Sequence, residues 1–109
     1  MHLLITRPEP DASAMREALA KAGITSDVAP LLEICVGAPD AGLLEAASAL
    51  VVTSRNGLRA LEGVELSARL LGLPLLVVGR GTGRAAQARG FTDVAVGPAT
   101  AKDLLPLIA

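Results

Sequence analysis

Short apolar runs alternate along the chain with segments in which apolar residues recur every three or four positions. The runs place Leu, Ile and Val at successive positions, which is typical of strands buried on both faces of a parallel sheet. The intervening segments have the spacing of amphipathic helices. The pattern predicts strands near residues 3–6, 26–36, 50–53, 74–78 and 91–96.

Helix start and stop signals mark the segments between these strands. Helices are predicted after Asp11 or Ser13, after Asp40 and after Ser54, because short polar side chains cap helix N-termini. Further helices are predicted at 65–71, at 84–89 and after a capping box that pairs Thr100 with Asp103. The alternation predicts an α/β fold of about five β-α units, with a flavodoxin-like parallel sheet covered by helices on both faces.

Pro30 interrupts the second predicted strand. Proline cannot donate a ladder hydrogen bond, and it pushes the preceding residue toward extended geometry. We therefore expect two extended pieces over 26–36 and a domain boundary at the join. Residues 1–30 would form the first β-α-β piece of a split domain, and residues 31–109 a compact α/β domain. Three alternatives stay open for residues 1–30: a single five-stranded 1–109 unit, a splayed piece, or exchange with a second copy.

Composition narrows the classes of partner. The chain has 109 residues, 51% of them hydrophobic, and a net charge of −1. That charge supplies no basic field for nucleic acid or a membrane surface, and Phe91 as the single aromatic residue offers no platform for stacking bases. No apolar run approaches the ~18 residues of a membrane span, and the start does not resemble a secretory signal. We expect a cytoplasmic protein.

Cys35 and His2 are the single residues of their types. An intrachain disulfide is therefore impossible, and we expect no metal site. Cys35 is expected in the core or an interface, and His2 in an N-terminal tail.

The polar segment Thr53-Ser54-Arg55-Asn56 follows the third predicted strand. In an open α/β sheet, ligands bind at the carboxyl ends of the strands, where helix N-termini offer N–H groups to anions. One interpretation is purely structural, with Ser54 capping the helix and Asn56 in its first turn. The other is that these side chains contact an anionic ligand. A catalytic serine is disfavoured, since no G-x-S-x-G elbow surrounds Ser54.

A second polar turn, Gly79–Arg84, follows the fourth predicted strand. A dinucleotide fingerprint fails because Arg84 stands where it requires glycine, and no Gly-Lys-Ser/Thr sequence supports a P-loop. The glycines fit either a tight turn or an anion-binding turn that uses N–H groups and the Thr82 hydroxyl. Arg55, Arg80 and Arg84 add positive potential. The candidate binding residues are Arg7, Thr53, Ser54, Asn56, Gly79, Gly81 and Thr82.

Five segments, taken in order, resemble the uroporphyrinogen-III synthase family. The third is similar to the family's T-S-x-N-G/A segment, and the fourth to its V-G-x-x-T turn. Together they span nearly the whole chain: LLITRPEPD at 3–11, APLLEI at 29–34, LVVTSRNGLRAL at 50–61, VVGRGTGRAA at 77–86 and GPATAKDL at 97–104.

The resemblance implies a cofactor-free lyase of tetrapyrrole and haem biosynthesis. Such an enzyme cyclises hydroxymethylbilane to uroporphyrinogen III with loss of water and inversion of the last pyrrole ring. It is thought to act largely by holding the folded, polycarboxylate substrate between two domains. By position, the implied substrate contacts are Thr53, Ser54, Asn56, Gly79, Gly81 and Thr82, with Thr6 and Arg7 as weaker ones.

The sequence departs from the family pattern in length. Family members are about twice as long, and their second half, with its own T-S turn and a tyrosine often at the active site, has no counterpart here. We expect a fragment, a truncated reading frame or a short relative that associates with another chain, with little or no activity alone. The alternative is a non-catalytic flavodoxin-like module that binds an anionic small molecule.

Overall fold

The computed structural model describes residues 1–108, and within them strands and helices alternate along the chain. The strands are β1 (His2–Ile5), β2 (Thr25–Val28), β3 (Leu50–Val52), β4 (Leu75–Val78) and β5 (Val94–Gly97). The α-helices are α1 (Asp11–Lys21), α2 (Ala41–Ala46), α3 (Arg55–Arg59), α4 (Ala68–Leu71), α5 (Arg80–Arg89) and α6 (Leu105–Ile108), with a 3-10 turn at Ala101–Leu104.

The chain divides into two compact units, Met1–Cys35 and a second that begins at Val36. In the first unit, β1 pairs in parallel with β2. In the second, β3, β4 and β5 form a parallel sheet with β4 in the centre. Parallel strands alternating with helices confirm the predicted α/β class. The strands form two sheets rather than one of five strands.

Helices α3 and α5 pack on one face of the three-stranded sheet, and the 3-10 turn packs on the other. Val52, Val77 and Val96 are in register on one face. The glycines Gly57 of α3 and Gly83 of α5 approach these valines so closely that a β-carbon on either would lie within 3 Å of a valine methyl. On the other face, Leu104 packs against Gly97. The central strand is consequently buried, which explains its uninterrupted apolar sequence.

Helix α5 begins earlier than the sequence predicts. A turn was expected over residues 79–83, but only Gly79 turns, with φ of 84°, and the helix starts at Arg80. A positive φ favours glycine, which explains the residue at this position. Gly81 and Gly83 are helical instead, and their missing side chains allow close packing. The predicted end of the helix is confirmed, because Gly90 adopts the left-handed conformation.

The first unit differs from expectation at two side chains. Helix α1 is not capped by Asp11 or Ser13; the Glu9 carboxylate accepts hydrogen bonds from the Ser13 N–H at 3.1 Å and its hydroxyl at 2.7 Å. His2 is not a tail residue. It lies in β1, and its ring nitrogens contact Thr25 Oγ1 at 3.0 Å and Asp27 Oδ2 at 2.8 Å.

The second extended piece expected over residues 31–36 is not a strand. Ladder hydrogen bonds continue from β2 only as far as Leu31, whose N–H donates to the Thr6 carbonyl at 3.2 Å. Beyond it the segment is exposed, and Cys35 is exposed with it rather than in a core. An apolar run without a neighbouring strand to pair with gains no ladder, and this explains the failed prediction.

Two predicted helix starts are confirmed. Asp40 accepts a hydrogen bond from the Leu43 N–H at 3.1 Å, which caps α2. Asp103 Oδ2 accepts from the Thr100 N–H at 2.6 Å, as a capping box requires. Among residues 1–108, no helix is long and apolar enough to cross a membrane.

Candidate functional site

The carboxyl ends of β3 and β4 meet at one edge of the second unit's sheet. The strands are parallel and adjacent, with Val52 opposite Val77 in the register. Ser54 follows β3 and Gly79 follows β4, so the two polar segments lie side by side at that edge. In open α/β sheets this edge is where ligands bind.

Ser54 stands at the N-cap position of α3, but its side chain forms no capping hydrogen bond. The predicted cap is therefore wrong, although the backbone is extended there, with φ of −154° and ψ of 163°. Thr53 and Ser54 are both exposed. Neither hydroxyl is committed to the helix, so both are accessible to a ligand.

The start of α5 presents backbone donors at the same edge. The first helical hydrogen bond runs from the Gly83 N–H to the Gly79 carbonyl at 3.1 Å, so the N–H groups of Arg80, Gly81 and Thr82 precede the helical ladder. Gly79 differs, since its own N–H donates to the Gly97 carbonyl at 2.9 Å. Gly79 therefore shapes the turn, and the residues after it carry the donors.

Two other candidate residues are less available to a ligand, one because it is buried and the other because its side chain is hydrogen-bonded. Thr82 is buried, with 7% of its surface exposed. Asn56 is half-buried, and its side-chain oxygen accepts a hydrogen bond from Arg59 Nη1 at 2.7 Å. Asn56 thus orients an arginine, and the Thr82 hydroxyl is less accessible than a residue in an open turn would be.

Arg7 lies in the first unit, just beyond the end of β1. Its guanidinium is half-exposed and stands 3.8 Å from the Asp11 carboxylate. The other candidates belong to the second unit, from residue 36 onward.

A groove of about 620 Å³ runs between α3 and α5. One end of the groove reaches Gly81, which is one of the candidate residues at the strand edge. Leu58 and Ala85 supply apolar wall, and the charged lining residues are Arg55, Arg59, Glu62, Arg84 and Arg89. The chain as a whole has a net charge of −1, so this concentration of arginines is a local feature.

Arg55 lies directly against α5. Its Nη2 is 2.5 Å from the point that a β-carbon of residue 81 would occupy, and its Cζ is 3.4 Å from that point. The guanidinium therefore occupies space that only glycine at position 81 leaves open. In this way Gly81 admits Arg55 into the groove.

Sequence reasoning missed Arg59 and Arg89 as parts of this surface. Arg89 Nη2 donates to the carbonyls of Leu61, at 3.4 Å, and Val64, at 3.1 Å, which ties the end of α5 to the loop after α3. A signal for Arg59 was present, because Arg55 and Arg59 are four positions apart and such residues share a helix face. The approach of the two helices was not readable from spacing.

No group of three or more His, Cys, Asp or Glu side chains in residues 1–108 is arranged to hold a metal ion. The groove has arginines and a single carboxylate, a set that suits anions rather than cations.

Comparison with known protein families assigns most of the chain to a family. A family model described as uroporphyrinogen-III synthase HemD matches residues 13–109. The matched range includes both strand-edge segments and the groove, and it begins after Arg7. No curated protein matches the chain.

Proposed function

The chain belongs to the uroporphyrinogen-III synthase family, and we propose that the edge formed by β3 and β4 binds the linear tetrapyrrole hydroxymethylbilane. The family is a lyase of haem biosynthesis. In the proposed reaction the substrate loses its terminal hydroxyl as water, the last pyrrole ring is inverted, and the ring closes to uroporphyrinogen III. We propose that this reaction requires no cofactor.

One observation carries the proposal: Ser54 and the start of α5 lie at the same edge of a parallel sheet. The substrate carries many carboxylates and needs several donors pointing toward one region. Exposed hydroxyls of Thr53 and Ser54 and the N–H groups that begin α5 are donors of that kind. Helix N-termini favour negative charge there.

The proposed contacts fall into two groups. Thr53, Ser54 and Gly81 contact the substrate directly, through hydroxyl and N–H groups. Gly79 and Asn56 act by shaping the turn and by orienting Arg59, and Thr82 acts through its N–H. Arg7 remains a candidate from the first unit.

Such a surface would act by positioning. A folded substrate whose reacting ends are held together gains the rate advantage of an intramolecular reaction, so the route with ring inversion competes with direct closure. We propose that one edge alone holds only part of the substrate, so the isolated chain has little activity.

The isomer ratio tests the catalytic part. The chain is supplied with hydroxymethylbilane, the products are oxidised, and uroporphyrins I and III are separated chromatographically. We expect mainly isomer I, the product of direct closure. Efficient formation of isomer III by this chain alone would show that a single edge suffices and would overturn the positioning argument.

Ligand preference separates the proposal from a non-catalytic anion-binding module. Calorimetric titrations compare uroporphyrin III, a stable oxidised relative of the product, with inorganic phosphate. We expect the porphyrin to bind and phosphate to bind much more weakly. If phosphate binds and the porphyrin does not, a module for small anions describes the chain and the tetrapyrrole proposal fails.

A further inference from the structure

The arginines of the groove between α3 and α5 fall into two classes. Arg59 is held by Asn56, and Arg89 by the carbonyls of Leu61 and Val64. Arg55 and Arg84 line the same groove but make no hydrogen bond or ion pair within residues 1–108. The groove therefore contains two anchored guanidiniums and two that have their donors available.

The position of Arg55 is unusual for an arginine without a partner. An exposed arginine ordinarily extends into solvent, whereas this guanidinium lies in the groove against the glycine at position 81. Several like charges near one another repel, and a bound anion relieves that repulsion. The Glu62 carboxylate supplies only one negative charge among four arginines.

The walls of the groove indicate more than an inorganic anion. Leu58, Ala85 and Ala88 contribute apolar surface between the arginines. The alanines and Gly81 recur along one face of α5. Their small side chains leave room in the groove for a planar ring. The volume of about 620 Å³ lies within the range of small-molecule sites.

We propose that this groove is a carboxylate-binding subsite, in which Arg55 and Arg84 hold acidic side chains of an organic polycarboxylate whose flat, apolar rings lie against Leu58 and Ala85. The guanidinium fork matches a carboxylate in bidentate geometry. Within the proposed function, the ligand is the tetrapyrrole. The subsite extends from the strand edge at Gly81 along α5 toward Arg89. The inference thus rests on that function and adds Arg55 and Arg84, which the family resemblance does not assign as substrate contacts.

Porphyrin fluorescence provides the test. The full chain is titrated with uroporphyrin III, with coproporphyrin III, which has half as many carboxylates on the same ring, and with citrate as a competitor that has carboxylates but no flat body. The variants are Arg55→Gln, Arg84→Gln and Arg16→Gln. Arg16 is the matched control, because it is an exposed arginine of α1 that does not line the groove.

We expect Arg55→Gln and Arg84→Gln each to weaken uroporphyrin binding about tenfold, the loss typical of one charge-assisted contact. Coproporphyrin binding should fall less in these two variants, and Arg16→Gln should change uroporphyrin binding by no more than about twofold. Citrate should compete poorly with uroporphyrin. Circular dichroism should show all three variants folded.

Each other outcome has a defined meaning. If the unmodified chain binds uroporphyrin and both groove variants bind it equally well, the subsite is overturned while the proposed function stands. If Arg16→Gln weakens binding as much as the groove variants do, a general positive field acts and the subsite is again overturned. If citrate binds as tightly as uroporphyrin, the flat body plays no part and the assigned ligand class is wrong. If no porphyrin binds to the unmodified chain, the proposed function fails and this inference fails with it.

Discussion

The guanidinium of Arg55 lies over Gly81, with Nη2 2.5 Å from the place where a β-carbon would stand. The two residues come from different helices, α3 and α5, and each follows a strand of the same parallel sheet. Gly81 lies at both the strand edge and the groove. Because it has no side chain, the Arg55 guanidinium can occupy the space beside it.

Substituting Gly81→Ala should separate binding from stability. The new methyl group meets the far end of a flexible side chain, so Arg55 moves away at little cost. Alanine also favours a helix over glycine by up to about 1 kcal/mol. We expect unchanged or slightly higher stability in urea unfolding followed by circular dichroism, together with weaker uroporphyrin binding. Unchanged binding would show that the position of Arg55 does not matter.

Gly83→Ala, two residues further along α5, should have the opposite effect on stability. A β-carbon there would lie 2.8 Å from Val96 Cγ2 and 3.6 Å from Val77 Cγ2, against the sheet. Overpacking of this kind costs about 1–3 kcal/mol, which exceeds the gain in helix propensity. We expect a net loss of about 1 kcal/mol in the free energy of unfolding.

Gly63→Ala is the control for that experiment. A β-carbon at residue 63 would meet nothing within 4 Å, and we expect a change within about 0.5 kcal/mol. If both alanine variants unfold at the same urea concentration, α5 is not packed as closely on the sheet as described.

Ser54→Ala and Ser67→Ala form a matched pair, because both serines occupy N-cap positions. Ser67 Oγ accepts a hydrogen bond from the Leu70 N–H at 3.2 Å, whereas Ser54 forms no such bond. We expect Ser67→Ala to lower the free energy of unfolding by about 1 kcal/mol and Ser54→Ala to change it by less than about 0.5 kcal/mol. Thermal unfolding measures both.

The same two variants examine the role of Ser54 in binding. If its exposed hydroxyl contacts the ligand, Ser54→Ala weakens uroporphyrin binding although it leaves stability nearly unchanged. If Ser54→Ala destabilises the protein as much as Ser67→Ala does, Ser54 caps α3 after all.

Sequence patterns predicted the elements whose signals are local. The buried run at 75–78 and the capping residues Asp40 and Asp103 depend on neighbours a few positions away, and the structure confirms them. The start of α5 was misjudged for the same reason. Gly81 and Gly83 look like turn residues locally, but their packing against Arg55 and Val96 is tertiary.

The groove was beyond the reach of local reasoning. Arg55 and Arg84 were identified one at a time from the sequence, but their convergence with Arg59 and Arg89 depends on how α3 and α5 pack on the sheet. The prediction of an extended piece at 31–36 was wrong for a similar reason, since apolar composition does not reveal whether a neighbouring strand is present. Shared strand edges were predictable, because parallel topology alone brings the ends of β3 and β4 together.

Asp103 should make the stability of the second unit depend on pH. The N–H of Thr100, followed by that of Ala99 and the Thr100 hydroxyl, holds the pKa of Asp103 below its usual value despite some desolvation. The folded pKa is depressed, so its contribution is complete above the unfolded pKa and is lost as pH falls through the folded pKa. We expect the chain to lose stability from this source below about pH 4.

Asp103→Asn isolates that contribution. The variant should be less stable than the unmodified chain near neutral pH, and the two free energies of unfolding should converge as the pH falls below about 4, because both side chains are then uncharged. Urea unfolding at a series of pH values measures the convergence. Asp93→Asn is the control for the loss of one exposed carboxylate, since the Asp93 side chain makes no hydrogen bond or ion pair among residues 1–108. A constant gap for Asp103→Asn at every pH would mean that the charge of Asp103 does not stabilise the turn at Thr100.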